Sequence, residues 1–286
     1  MAIQATLTDN HARGYVNKLV GCIKRIFKWG VSRQMVPPSV HTSLSTVEGL
    51  RKGRTTAREP EPIGPVADDV VEATLPHLPV VVADMVRFQR LTGARPGEVF
   101  QVRPCDIDRS GEIWQYRPIS HKTDHRGRER TIYIGPKAQQ VLLPYLLRDA
   151  QAPCFQPAES ERNRHEAMRA RRRTRVQPSQ WKRQKTQPNC RHRTTYNRSS
   201  YAHAIRRAVE KANAQRLKEA AQQRVEAVLL PHWSPNQLRH SKATEVRRQF
   251  GLEAAQVSLG HAKADVTQVY AERDARLAVE VVRKIG

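Results

Sequence analysis

Nowhere in the 286 residues does an apolar run approach the roughly 18 consecutive positions of a membrane-spanning helix, which excludes a helical membrane protein. The opening residues, Met1-Ala2-Ile3-Gln4-Ala5, lack the basic start and apolar stretch of a secretory signal. Cysteine is scarce. Cys22, Cys105, Cys154 and Cys190 lie far apart with no Cys-x-x-Cys pair, so no disulfide framework is encoded and a reducing cytosol fits. Acidic residues are the other deficit. Against 27 Asp and Glu stand 50 Lys and Arg, a net charge of +23. Such a charge calls for a polyanion, and nucleic acid is the commonest one, with an anionic membrane as the rival.

The basic excess is uneven. Residues 161–200 carry 13 Lys or Arg against Glu161 and Glu166 alone. Arg171, Arg172, Arg173 and Arg175 are followed by Pro178, Trp181 and Pro188, with no apolar stripe. That is the composition of a flexible arm lying on phosphates, not of an amphipathic membrane helix. Cys154, His165, Cys190 and His192 fit no common zinc-finger spacing, so no metal site is expected.

At 38% apolar residues the chain can build a lean core, and its length suggests about two domains. Val16, Leu19, Val20, Ile23 and Phe27 recur at helical spacing over 12–34, with Lys24, Arg25 and Lys28 on other faces as candidate DNA contacts. A short helix starting at Ser39 follows. Residues 53–66, rich in Pro, Gly and charge, read as a linker. Beyond it, helices are expected from Asp68 or Asp69, over Val80–Leu91, from Pro96, after Gly135-Pro136, from Ser199 and from Pro235. Residues 112–118 and 130–134 alternate as strands around a polar turn. Residues 151–198 read as a basic, mostly irregular insertion. The expected fold is mainly α with a small antiparallel β-sheet, an α+β class.

Three clusters stand out if the partner is a phosphodiester backbone: Arg95 in TGARPGEV, Lys122 in HKTDHRGRER, and Asn236 to Tyr270 with Arg239, His240 and His261. Alone, each has an ordinary reading. Arg95 can simply pair with Glu98, Lys122 is one basic turn residue among Arg126, Arg128 and Arg130, and Tyr270 can be packing. In combination, TGARPGEV at 92–99, HKTDHRGRERTIYI at 121–134, PNQLRHSKAT at 235–244 and LGHAKADVTQVYAE at 259–272 resemble the tyrosine recombinase, or phage integrase, family in order and spacing.

The resemblance implies a site-specific integrase that breaks and rejoins duplex DNA without a metal or other cofactor. Arg95 and Arg239 match the family's two phosphate-clamping arginines, Tyr270 the nucleophile, Lys122 the general acid, and His261 a group that orients phosphate or tyrosine. Glu98 would hold an arginine in place and His240 would support the site. Arg126, Arg128, Arg171, Arg172, Arg173 and Arg175 join the expected DNA contacts. One position departs: the family usually has His or Lys where Asn236 stands, and Asn cannot carry a proton. The implied layout is a partial helical core-binding domain over 1–52, the linker 53–66 and a catalytic domain over 67–286. Met1 falls almost at the family's third helix, as in a fragment, a truncated gene or a late start. Implied partners are double-stranded DNA, a homotetramer on synapsed duplexes, and accessory DNA-bending proteins, in the cytoplasm at the nucleoid. The alternative is a catalytically impaired or truncated DNA-binding remnant of a mobile-element integrase.

Overall fold

The computed structural model describes residues 2–120, 129–175, 177–178 and 193–260. The chain divides into two compact units, the first ending at Ile63 and the second starting at Gly64.

The first unit holds three helices, α1 (Ala2–Asn10), α2 (Arg13–Ser32) and α3 (Pro38–Ser45). α1 was not expected, because its few apolar residues show no clear stripe. Pro38 starts α3, where a proline's missing N–H is harmless. Asn17 on α2 clasps the backbone of Leu50, donating to its carbonyl at 3.0 Å and accepting its N–H at 2.7 Å. Residues 53–63, read from sequence as linker, pack within this unit. The Arg13 N–H donates to the Arg58 carbonyl, and the Arg13 side chain pairs with Glu59. Loss of periodicity marked the end of helix there, not the end of tertiary packing.

The second unit contains α4 (Asp68–Thr74), α5 (Val80–Thr92), α6 (Pro96–Gln101), α7 (Pro136–Leu146), α8 (Pro157–Ala170), α9 (Arg198–Gln223) and α10 (Pro235–Leu259). Strands β1 (Ile107–Asp108), β2 (Trp114–Tyr116) and β3 (Ile132–Ile134) form an antiparallel sheet in the order β1-β2-β3. Tyr116 stands opposite Ile132, and Trp114 opposite Ile134. The alternation read from sequence is present: Ile132 and Ile134 are buried, and Tyr133 between them is exposed. One core joins the sheet to the helices through Met85, Phe88, Val99, Tyr116, Ile134, Leu142, Ile205 and Leu238.

The span 151–198 departs from its irregular reading. Its first residues are bound to the body of the unit. The Cys154 N–H donates to the Val102 carbonyl at 2.8 Å, and Cys154 and Phe155 are fully buried. α8 follows over 14 residues, none of them buried. It carries too little apolar surface to show a periodic stripe. It starts on Pro157, and Glu161 pairs with Arg164 and His165 within the helix. Ser160 meets the Tyr196 hydroxyl at 2.7 Å, tying the helix down.

Candidate functional site

Arg95 sits where α5 gives way to α6. α5 ends on Gly93, whose φ of +66° is the left-handed conformation that L side chains rarely adopt. The space is closed as well: a Cβ there would lie 3.0 Å from Leu259 and 3.1 Å from Lys242. α10 therefore packs directly on this turn. Two residues later Arg95 takes the N-cap position, and Pro96 fixes the first turn of α6.

Glu98 is the third residue of α6 and only 3% exposed. Its Oε2 accepts the Arg95 N–H at 2.7 Å, and its Oε1 accepts Arg95 Nη1 at 2.7 Å. The same Oε1 lies 3.5 Å from Nε of Arg130, which precedes β3. Burial opposes the charged carboxylate, but Arg130, Arg95, the Arg95 N–H and Arg239 outweigh it and hold the carboxyl below its ordinary range. Tyr116 from β2 donates its hydroxyl to the Glu98 backbone carbonyl at 2.8 Å. Burial and the neighbouring Glu98 push that phenol well above its usual range.

Arg239 reaches the same place from α10. It is 2% exposed. Its Nη1 donates to the Gly93 carbonyl at 2.5 Å and its Nη2 to the Leu259 carbonyl at 2.7 Å. One guanidinium thus ties the turn before Arg95 to the last residue of α10, two positions before His261. Arg95 itself keeps 23% of its side chain exposed. His240 is buried beside Arg239, and Asn236 is exposed one turn earlier on α10.

Gln89 was not singled out in the sequence, yet it joins these pieces. Fully buried, it donates through Nε2 to the Ala94 carbonyl at 3.1 Å and the Pro235 carbonyl at 2.9 Å, and its Oε1 accepts the Tyr201 hydroxyl at 3.0 Å. A signal was present: Val82, Met85, Val86 and Gln89 share one helical stripe, so an amide stands at a core position of α5.

Three of the expected site residues therefore lie close together, Arg95, Glu98 and Arg239, and His240 follows Arg239 on α10. Lys122, Arg126, Arg128, His261 and Tyr270 lie outside the described residues. In the first unit, Lys24 donates to the carbonyls of Ser45 and Val47, Arg25 is exposed with Nη2 at 2.9 Å from Cys22 Sγ, and Lys28 is exposed. Arg171, Arg172, Arg173 and Arg175 are exposed beyond α8.

Fold and cluster together define a mainly helical domain with a small antiparallel sheet and an arginine-rich site fit for an anion. The chain belongs to the phage integrase family, the tyrosine recombinases, whose model matches residues 71–276. Among solved structures, a lambda integrase dimer bound to a COC′ core site is 12% identical with a TM-score of 0.62, over 96% of this chain and 79% of that one. The Tn1549 transposon integrase in complex with a circular intermediate DNA is 13% identical with a TM-score of 0.61, over 98% and 83%. The XerH site-specific recombinase bound to difH substrate is 12% identical with a TM-score of 0.53, over 98% and 67%. These likenesses establish the fold. No curated protein sequence matches the chain.

Proposed function

We propose that the chain is a site-specific recombinase that cuts and rejoins double-stranded DNA through a 3′-phosphotyrosyl intermediate. The observation that carries this reading is the anchoring of Arg239 to the Gly93 and Leu259 carbonyls. Family membership and the DNA held by the similar structures support it.

In the proposed reaction the Tyr270 oxygen attacks the scissile phosphorus in line. A P–O bond to tyrosine forms, and the bond to the 5′ oxygen breaks. Charge develops on the nonbridging oxygens, where Arg95 and Arg239 supply fixed positive charge without the reorganisation that water would need. A phenol ionises near pH 10, so its proton passes to solvent water as attack proceeds. Lys122 gives the departing 5′ oxygen a proton, since an alkoxide is a poor leaving group. His261 orients phosphate or tyrosine through a hydrogen bond. Rejoining runs the same steps backwards from another strand end, in a tetramer on two synapsed duplexes, with bending proteins as optional helpers. Contacts to six to ten phosphates would weaken binding about 10³- to 10⁵-fold between roughly 50 and 200 mM salt.

Asn236 favours a second reading, an impaired remnant that holds DNA without cutting it, because an amide cannot shuttle protons. A nicked duplex that traps the covalent complex decides between them. The proposed enzyme forms an adduct that Tyr270→Phe abolishes. Salt-sensitive binding with no adduct means the remnant.

A further inference from the structure

Arg130 has no part in the chemistry proposed above. Its side chain is 4% exposed. Its Nε lies 3.5 Å from Glu98 Oε1, yet Nε, Nη1 and Nη2 make no hydrogen bond among the described residues. A buried guanidinium in that condition is poor structural material. An apolar side chain of similar volume would often be as stable or more so. The surroundings are nevertheless shaped to admit it. Gly260, the left-handed cap of α10 with φ +63°, has no side chain, and a Cβ there would collide with Arg130 Nη1.

The need for a second cation follows from Glu98. Both of its oxygens are committed to Arg95, one to the backbone N–H and one to Nη1. Arg95 and Glu98 alone sum to zero charge, and a carboxylate so placed competes with any incoming phosphate for the same guanidinium. Adding Arg130 at the same carboxylate oxygen returns that pair to a net positive charge, and Arg239 raises it again.

We propose that Arg130 is a positioning residue of the phosphate site: it shares Glu98 with Arg95, so that Arg95 keeps positive charge for the DNA phosphate. The inference rests on the recombinase reading above and extends it to a residue outside the family-matched set. Among the described residues, the charged groups facing Glu98 are Arg95 at the start of its own helix, Arg130 before β3 and Arg239 from α10, with the Tyr116 phenol from β2 on its backbone.

The test compares the full chain with Arg130→Met, Arg130→Gln and Arg130→Lys. Adduct formation on the nicked duplex is measured under single-turnover conditions, alongside DNA binding and thermal unfolding from about pH 3 to 8. Arg130→Met should slow adduct formation by about 10- to 100-fold, the range for groups that orient a directly acting one. Binding should change far less, because it is spread over many phosphates. Arg130→Lys should recover most of the rate, since it restores the charge.

Thermal unfolding gives a readout independent of activity. A carboxylate held low by its neighbours contributes stability above its unfolded pKa, and that stability is lost as pH falls through the folded value. Without Arg130 the folded value rises toward the unfolded one, so the acid loss of stability should be smaller and complete at higher pH. Arg130→Gln takes the place of Arg130→Met if the latter does not fold. An unchanged adduct rate overturns the inference. So does an acid limb that does not move, or a lysine variant as slow as the methionine one. A wild-type chain that makes no adduct overturns the proposed function instead, and the unfolding comparison still decides whether Arg130 supports Glu98.

Discussion

Around Glu98 the arginines are buried and geometrically fixed, whereas along α8 and the segment after it they are exposed. Arg239 and Arg130 are each under a tenth exposed, and Arg239 donates to two backbone carbonyls. Arg171, Arg172, Arg173 and Arg175 lie at the surface. Composition treats both groups alike, as basic residues in a basic protein. Burial separates them. A buried guanidinium acts over one or two bonds and through its immediate neighbours, and salt screens it little. An exposed one acts through the summed field of the protein, and ions at physiological strength screen it within about 8 Å. The first kind can be catalytic. The second kind sets affinity and encounter rate.

The largest effect is expected at Arg239. Arg239→Met removes charge from the site and leaves the Gly93 and Leu259 carbonyls without this donor. Adduct formation should fall by about 10²- to 10³-fold. Denaturant unfolding should show a loss of about 1–3 kcal/mol for each carbonyl left unsatisfied. If the rate falls while stability is unchanged, the two carbonyl bonds are not what holds the site, and the contrast with the surface arginines loses its structural half.

Gln89→Leu should come next, and it separates anchoring from charge. The substitution keeps volume but removes the donor to Ala94 and Pro235 and the acceptor for Tyr201. Each buried group left without a partner costs about 1–3 kcal/mol. Because Ala94 adjoins Arg95 and Pro235 opens the helix of Arg239, adduct rate should drop with stability, although no charge has changed. A stable variant with full activity would show that the two arginines are placed by packing alone.

These two residues also mark how far the sequence could be read. Proline at the first helical position located α6, α7 and α10, because it acts through local backbone geometry. Arg95, Glu98 and Arg239 were legible because their chemistry and order match a family. Gln89 was not. Its role is set by carbonyls up to 146 positions away, which no local pattern encodes. Arg130 was hidden among Arg126 and Arg128, since charge alone could not single it out. α8 was missed because it is held by charge pairs, within the helix and from Glu159 to Arg148, and by one tyrosine hydroxyl, none of which hydrophobic periodicity registers.

The smallest effect should come from the surface arginines. Replacing Arg171 and Arg173 by alanine removes two exposed charges next to a helix end with no buried residues. Unfolding should stay within about 0.5 kcal/mol of wild type, as for most surface changes. The slope of log affinity against log salt should fall by about 0.9 for each phosphate no longer neutralised, so by at most about 2. At saturating DNA the adduct rate should not change, because neither side chain belongs to the buried cluster. Titrations at several salt concentrations, paired with single-turnover rates, measure both quantities on one preparation. A slower rate at saturation would mean that the exposed segment acts on the chemistry itself, and the division between buried and exposed arginines would have to be redrawn.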